Sequence, residues 1–261
     1  MNHCKARWRT DFNLRRLMNM LILKSRGVVI VSYPRSGRTW LLAMLHALSI
    51  DPRFSHGGVK NTHLDSPDTV CQDIPDYLEN RILLILRDPR DSIVSHHQHY
   101  LRKKKWEGDL PSFMRDPIWG FERLLAFNLG WLQAGNRFKD FTTVRYEDLR
   151  RNTEIELKRI VSFLGCKISG PQALSKVVAE HAFEQMKQRE RSGELHARYG
   201  KLYSPFGSEN DNEMVVRRGV IGSHVEEMTA ADREFCEEML KRYNYHVIVD
   251  QLAGRGNVLA A

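Results

Sequence analysis

The passage from Gly27 to Leu48 constrains this chain more than any other. Gly27 to Ser32 (GVVIVS) is a short β-branched run, Tyr33 to Arg38 is a polar loop containing Gly37, and from Thr39 onward Leu41, Leu42, Met44, Leu45 and Leu48 are apolar. The run suits a strand buried on both faces and the later spacing is helical, so the unit reads strand, tight loop, helix. A helix that opens directly after such a loop presents unpaired backbone N–H groups and the positive end of its dipole, which favours a phosphate. Arg35 and Arg38 add fixed positive charge, and Thr39 adds a hydroxyl.

The pattern recurs. Ile82 to Leu86 (ILLIL) reads as a second buried strand, ended by Arg87-Asp88-Pro89-Arg90, with Pro89 suited to the first turn of a helix. Phe141 to Tyr146 is a third strand, and Thr153-Glu154-Ile155-Glu156 reads as a capping box opening a helix that ends at Gly165. Alternating strands and helices imply an α/β fold: a parallel β-sheet flanked by helices, of the P-loop nucleotide-binding type. Residues 118–132 read as an apolar helix with Trp119 and Trp131 in the core, and residues 229–243 as a closing helix with Phe235, Met239 and Leu240 inward. Lys187 to Glu213 is rich in charge, Gly and Ser without a clear period, which predicts a mobile segment over a site. No repeat or composition shift divides the chain, so residues 1–261 are expected to form a single domain with its core at 26–243.

Composition narrows the function. With 40 Lys plus Arg against 32 Asp plus Glu the net charge is +8, which favours an anionic partner, and 42% hydrophobic residues suit a globular rather than a disordered or collagenous protein. Cys4, Cys71, Cys166 and Cys236 form no CxxC pair, so reduced thiols are expected rather than zinc or a disulfide framework. His96, His97 and His99 lack a spaced set of partner ligands and read as a polar helical face, so no metal is expected. Arg102 to Lys105 reads as solvated surface, and no nucleic-acid module is present. The basic N-terminus leads into Leu17 to Leu23, shorter than a signal peptide's usual core and followed by Lys24 and Arg26 without a small-residue cleavage site, so a cytoplasmic protein with no membrane span is expected.

The string at 33–40, YPRSGRTW, resembles the 5′-phosphosulfate loop of the sulfotransferases that use 3′-phosphoadenosine 5′-phosphosulfate (PAPS), where YPKSGTTW is typical of cytosolic members. Leu86 to Ser95 (LRDPRDSIVS) resembles that family's RNPKDVAVS segment, Arg145 to Leu149 (RYEDL) its YED segment, Phe183 to Lys187 (FEQMK) its SFxxMK segment, and Arg217 to Gly222 (RRGVIG) its RKGxxG loop. The matches keep the family's order. The resemblance implies that Arg35, Ser36, Gly37, Arg38, Thr39 and Trp40 hold the 5′ end of PAPS. It places Arg87, Ser95, Arg217, Arg218 and Gly219 at the 3′-phosphate, and Tyr146 and Phe183 at the adenine.

Transfer of a sulfuryl group to an acceptor hydroxyl needs a base and a cation beside the leaving phosphate. The family's base is the histidine of KTHL, and Thr62-His63-Leu64 matches it, so His63 is the expected base, with Asp65 the nearest carboxylate alternative. Arg35 replaces the usual lysine and acts as a clamp that keeps its proton, with Ser95 the third expected catalytic group. Lys60 stands one place too far upstream for the family's spacing, and no KxxxTVxxxE-like dimer segment is present, which leaves oligomeric state open. The expected product is 3′-phosphoadenosine 5′-phosphate (PAP), and the acceptor a small-molecule, saccharide or lipid hydroxyl. Two other readings compete: a P-loop small-molecule kinase using ATP and Mg²⁺, and a PAP- or polyanion-binding protein without activity.

Overall fold

The computed structural model describes residues 27–57, 74–168, 170, 172–199, 214–216 and 219–253. Strands β1 (Val28–Ser32), β2 (Arg53–Ser55), β3 (Arg81–Leu86) and β4 (Asp140–Arg145) form one sheet in the order β2-β1-β3-β4, each neighbouring pair parallel. Val31 pairs with Ser55 on one side and Leu84 on the other, and Leu84 pairs in turn with Thr143. Val29, Val31, Ile82 and Leu84 enter one core cluster while Ile30, Leu83, Ile85 and Val144 enter a second on the other face. Burial on both faces is why these strands are continuously apolar rather than alternating.

Helices α1 (Arg38–Ala47), α2 (Pro89–Arg102), α3 (Leu110–Met114), α4 (Phe121–Gln133), α5 (Tyr146–Arg151), α6 (Thr153–Phe163) and α7 (Ala173–Glu180) cover the sheet. They are followed by α8 (Phe183–Arg191), α9 (Glu194–Tyr199), α10 (His224–Glu227), α11 (Ala230–Arg242) and α12 (Tyr245–Ala253). Leu41 and Leu45 of α1, Leu157 and Ile160 of α6, and Leu174 and Val177 of α7 pack on one face. Ile93 of α2, Phe127 and Trp131 of α4, Leu240 of α11 and Tyr245 of α12 pack on the other. No helix among the described residues is long and apolar enough to cross a membrane.

Several local expectations are corrected. Strand β2 carries only the sequence RFS at the sheet edge, with no apolar run to announce it. The capping box expected at 153–156 does not form, because α5 runs to Arg151, Asn152 takes the N-cap and its N–H bonds Asp148 O at 2.8 Å. A capping box stands instead at Thr229 and Asp232. Helix α4 starts at Phe121 rather than 118 because Asp116 Oδ1 accepts the N–H groups of Ile118 and Trp119 at 2.8 and 2.7 Å and holds a turn there. Residues 187–191 and 194–199, expected to lack a clear period, lie in α8 and α9, with Leu195 fully buried; residues 200–213 fall outside the described residues. The packed body also runs past 243, since Tyr245 OH meets Asn128 Nδ2 at 2.7 Å and Thr143 Oγ1 donates to Ala253 O.

Candidate active site

Two strand-to-helix junctions build the site. At the first, Gly37 is the N-cap of α1 with φ of 92°, in the left-handed region that favours glycine. A side chain there would also collide with Tyr146, whose ring carbon would stand 2.3 Å from the added Cβ. No side chain caps α1 and its first turn carries no acid, so its N–H groups and dipole face outward for an anion. Arg35 also has positive φ, 70°, a strained setting for a non-glycine residue. Its Nε donates to Ser95 Oγ at 3.2 Å and its Nη2 to Val215 O at 3.0 Å, while Arg87 Nη1 holds the Arg35 carbonyl at 3.0 Å.

At the second junction Asp88 caps α2, accepting from Arg90 N at 2.9 Å, with Pro89 in the first turn. Asp91, in the first turn, takes N–H groups from Gly222 at 2.8 Å and His224 at 3.0 Å and the His224 ring at 2.8 Å. Burial pushes the Asp91 carboxyl up, but these donors prevail and hold it down to about 2. The guanidinium of Arg87 stacks 4.7 Å above the Tyr146 ring.

A cavity of about 340 Å³ opens at the carboxyl ends of all four strands, where open α/β sheets place their ligands. It gathers most of the residues marked in the sequence: Arg35, Gly37, Arg38, Thr39, Trp40, Arg87, Ser95, Tyr146, Phe183 and Gly219 all line it. Ser36 is buried and lies outside the lining, while His63, Asp65, Arg217 and Arg218 fall outside the described residues. Phe183 is not a core residue: it packs on Gly219, where an added Cβ would come within 2.3 Å of its ring. Arg150 stands over Trp40 at 5.2 Å and Phe183 at 5.6 Å, and Trp40 Nε1 donates to His181 O at 2.8 Å.

The cavity also holds residues that sequence reasoning missed: His56, His99, Lys103 and Arg150. His56 follows directly from β2, so recognising that strand would have found it. Its Nδ1 lies 2.9 Å from Ser32 O, which can only accept, so Nδ1 carries the proton and Nε2 of the neutral ring keeps its lone pair. Burial and the charge of Arg38 lower its pKa to about 4. The backbone around it is braced: Ser55 Oγ meets Tyr77 OH at 2.6 Å, Gly57 N donates to Ser55 Oγ at 2.9 Å, and Trp131 Nε1 donates to Gly57 O at 3.3 Å.

The histidines of α2 are not a polar face. His96 is fully buried, edge-on to the rings of Tyr33, Tyr100, Phe113 and Trp119, and His97 bonds Gly108 O at 3.0 Å. His99 lines the cavity, where burial followed by the charge of Arg35 lowers its pKa to about 3. Arg102 and Lys103 are likewise half-buried rather than free surface. Among the described lining residues the charged side chains are Arg and Lys and none is Asp or Glu.

Comparison with known proteins agrees with this geometry. Residues 59–247 match the sulfotransferase domain family. The chain is 22% identical to human sulfotransferase 2A1 over 265 residues, covering 87% of each, and 28% identical to cytosolic sulfotransferase 12 of Arabidopsis thaliana over 247 residues, covering 76% of this chain and 71% of that one. Its fold is similar to that of mouse sulfotransferase SULT7A1 complexed with PAP, at a TM-score of 0.62 and 18% identity over 88% of both chains. It is also similar to retinol dehydratase in complex with androsterone and inactive cofactor PAP, at a TM-score of 0.57 and 15% identity over 83% of this chain and 80% of that one. The chain belongs to the sulfotransferase family and is a PAPS-dependent enzyme of its cytosolic type.

Proposed function

We propose that this chain is a cytoplasmic enzyme that moves a sulfuryl group from PAPS to the hydroxyl of a small-molecule acceptor, with PAP as the other product. The observation that carries the reading is the cavity itself, which joins a backbone anion cradle at Gly37–Trp40 to a side-chain cradle at Arg87 and Ser95. The 5′ end of the donor is assigned to Arg35, Gly37, Arg38, Thr39 and Trp40, with Ser36 supporting the loop from behind. The 3′-phosphate is assigned to Arg87, Ser95 and Gly219, and by sequence pattern to Arg217 and Arg218. Tyr146, Phe183 and Arg150 take the purine. The residues fit such a donor: among the described residues the lining offers cations with no competing carboxylate, and the buried Arg87 Nε has no protein partner.

The base is assigned to His56, whose Nε2 lone pair is left open by the Ser32 contact and whose ring lines the same cavity as Arg35. His56 Nε2 takes the acceptor proton as the acceptor oxygen bonds to sulfur, the bond from sulfur to the phosphate oxygen breaks, and Arg35 stabilises the charge left on that oxygen. His63 remains the rival on its Thr-His-Leu setting. The retinol dehydratase neighbours hold androsterone or retinol, which supports a small alcohol as acceptor.

Calorimetry with PAP, ADP and ATP, with and without Mg²⁺, tests the donor; metal-independent preference for PAP is expected, and preference for Mg-ATP or no nucleotide binding overturns the reading. His56→Ala should cut kcat by about 100-fold or more while PAP affinity stays within about three-fold, whereas a loss confined to His63→Ala would return the base role to that residue. In the free enzyme the acid limb of kcat/KM should lie near pH 4, because Nε2 must be unprotonated to accept a proton.

A further inference from the structure

One buried carboxylate has no part in the chemistry above. Glu190 lies in the last turn of α8, is 1% exposed, and accepts the backbone N–H of Val215 at 2.6 Å and of Val216 at 2.7 Å. Those two donors belong to neither helix nor sheet, and inside the protein they need an acceptor. A carboxylate meets both at once with short charge-assisted bonds. Its charge is also felt by Arg102 on α2, whose Nη2 donates to His99 Nδ1 at 2.8 Å.

The segment it holds is part of the site. Val215 and Val216 line the cavity, and the Val215 carbonyl, in the residue whose N–H is held by Glu190, accepts from Arg35 Nη2 at 3.0 Å. Four residues on, Gly219 rests on Phe183, the first residue of α8. Thus one helix grips the strap at two points, its N-terminal ring under Gly219 and its C-terminal carboxylate under Val215 and Val216. Helix α8 is itself fixed from beneath, since Met186 packs with Leu195 of α9 and Ala43 of α1, and Arg189 pairs with Glu194 at 2.8 Å.

We infer that Glu190 is a positioning residue: it latches the 214–216 strap so that Arg35 and Gly219 are set for the donor, and thereby tunes the enzyme's preference for nucleotides bearing a 3′-phosphate. The inference rests on the donor assignment above. A neutral amide cannot replace the latch, because one of its two ends is a donor facing another donor. In the full chain, Glu190→Gln should weaken PAP by on the order of ten-fold and ADP, which meets the strap only through Arg35, by about three-fold, so the PAP-to-ADP ratio falls. Glu190→Asp, which keeps the charge on a shorter arm, should recover part of that ratio. Hydrogen–deuterium exchange of the unliganded protein gives a reading independent of any nucleotide: amides 215 and 216 should be protected in the parent and exchange faster in Glu190→Gln, with α4 and β3 unchanged. Equal weakening of PAP and ADP, a global rise in exchange, or unchanged protection at 215 and 216 would overturn the inference. A parent protein that shows no PAP preference would instead sink the donor assignment, and the exchange result would still decide whether the latch exists.

Discussion

The junctions after β1 and after β3 share one topology and offer an anion opposite kinds of donor. After β1 the helix N-terminus is left bare, with Gly37 at the cap, no side-chain cap and no acid in the first turn. After β3 the helix N-terminus is already satisfied by Asp88, and Asp91 stands in the same first turn, so α2 has little positive end left to offer. Positive charge is supplied there by Arg87, stacked on Tyr146, with Ser95 further along the helix as the hydroxyl. A strand-to-helix turn therefore does not bind phosphate by topology alone; what its cap leaves unpaired decides whether backbone or side chain does so.

The largest effect expected from this contrast is at Gly37. Gly37→Ala forces a side chain into a left-handed backbone and against the Tyr146 ring, so PAP affinity should fall by about 100-fold or more, with loss of stability measured by thermal unfolding. Retention of wild-type affinity would show that the cradle does not depend on this backbone conformation. Next comes Arg87→Ala, which should weaken PAP by roughly ten- to hundred-fold in calorimetry and leave ADP within about three-fold. Equal weakening of both nucleotides would erase the side-chain half of the comparison.

Asp91 carries the smallest effect, and it is one of stability. Because its carboxyl is held at about 2, below the ordinary value of 3.8, its contribution is present above that ordinary value and drains away as pH falls toward 2. Asp91→Asn should cost about 2 kcal/mol in urea unfolding at neutral pH, and the difference between the variant and the parent should shrink between pH 4 and 2. A pH-independent difference would mean that Asp91 acts through shape rather than charge.

Much of this was legible in the chain, for a local reason. The runs GVVIVS and ILLIL announced strands buried on both faces, and the loop at 33–40 announced the turn and helix start after β1, because strand burial and helix caps act within a few residues of one another. Where a local rule met a tertiary one, the local rule failed. The box at 153–156 had the right residues but the preceding helix already held its place, and the charged stretch 187–199 hid a helix pair whose buried face is narrow.

His56 makes the limit clearest. His63, carried by the Thr-His-Leu letters, lies outside the described residues, whereas His56 follows a three-residue edge strand with no apolar run. Only the pairing of β2 with β1 brings His56 beside Ser32, where the carbonyl sets its tautomer. Likewise nothing in the spacing of Glu190 and Val215 tells that they touch. By itself the sequence determined the alternation of strand and helix and the arginine-bearing loops between them, which depend on near neighbours. Tertiary structure alone brought His56 to the cavity and set Glu190 beneath the strap that lines it, because hydrogen bonds between residues far apart exist only once the sheet register is set.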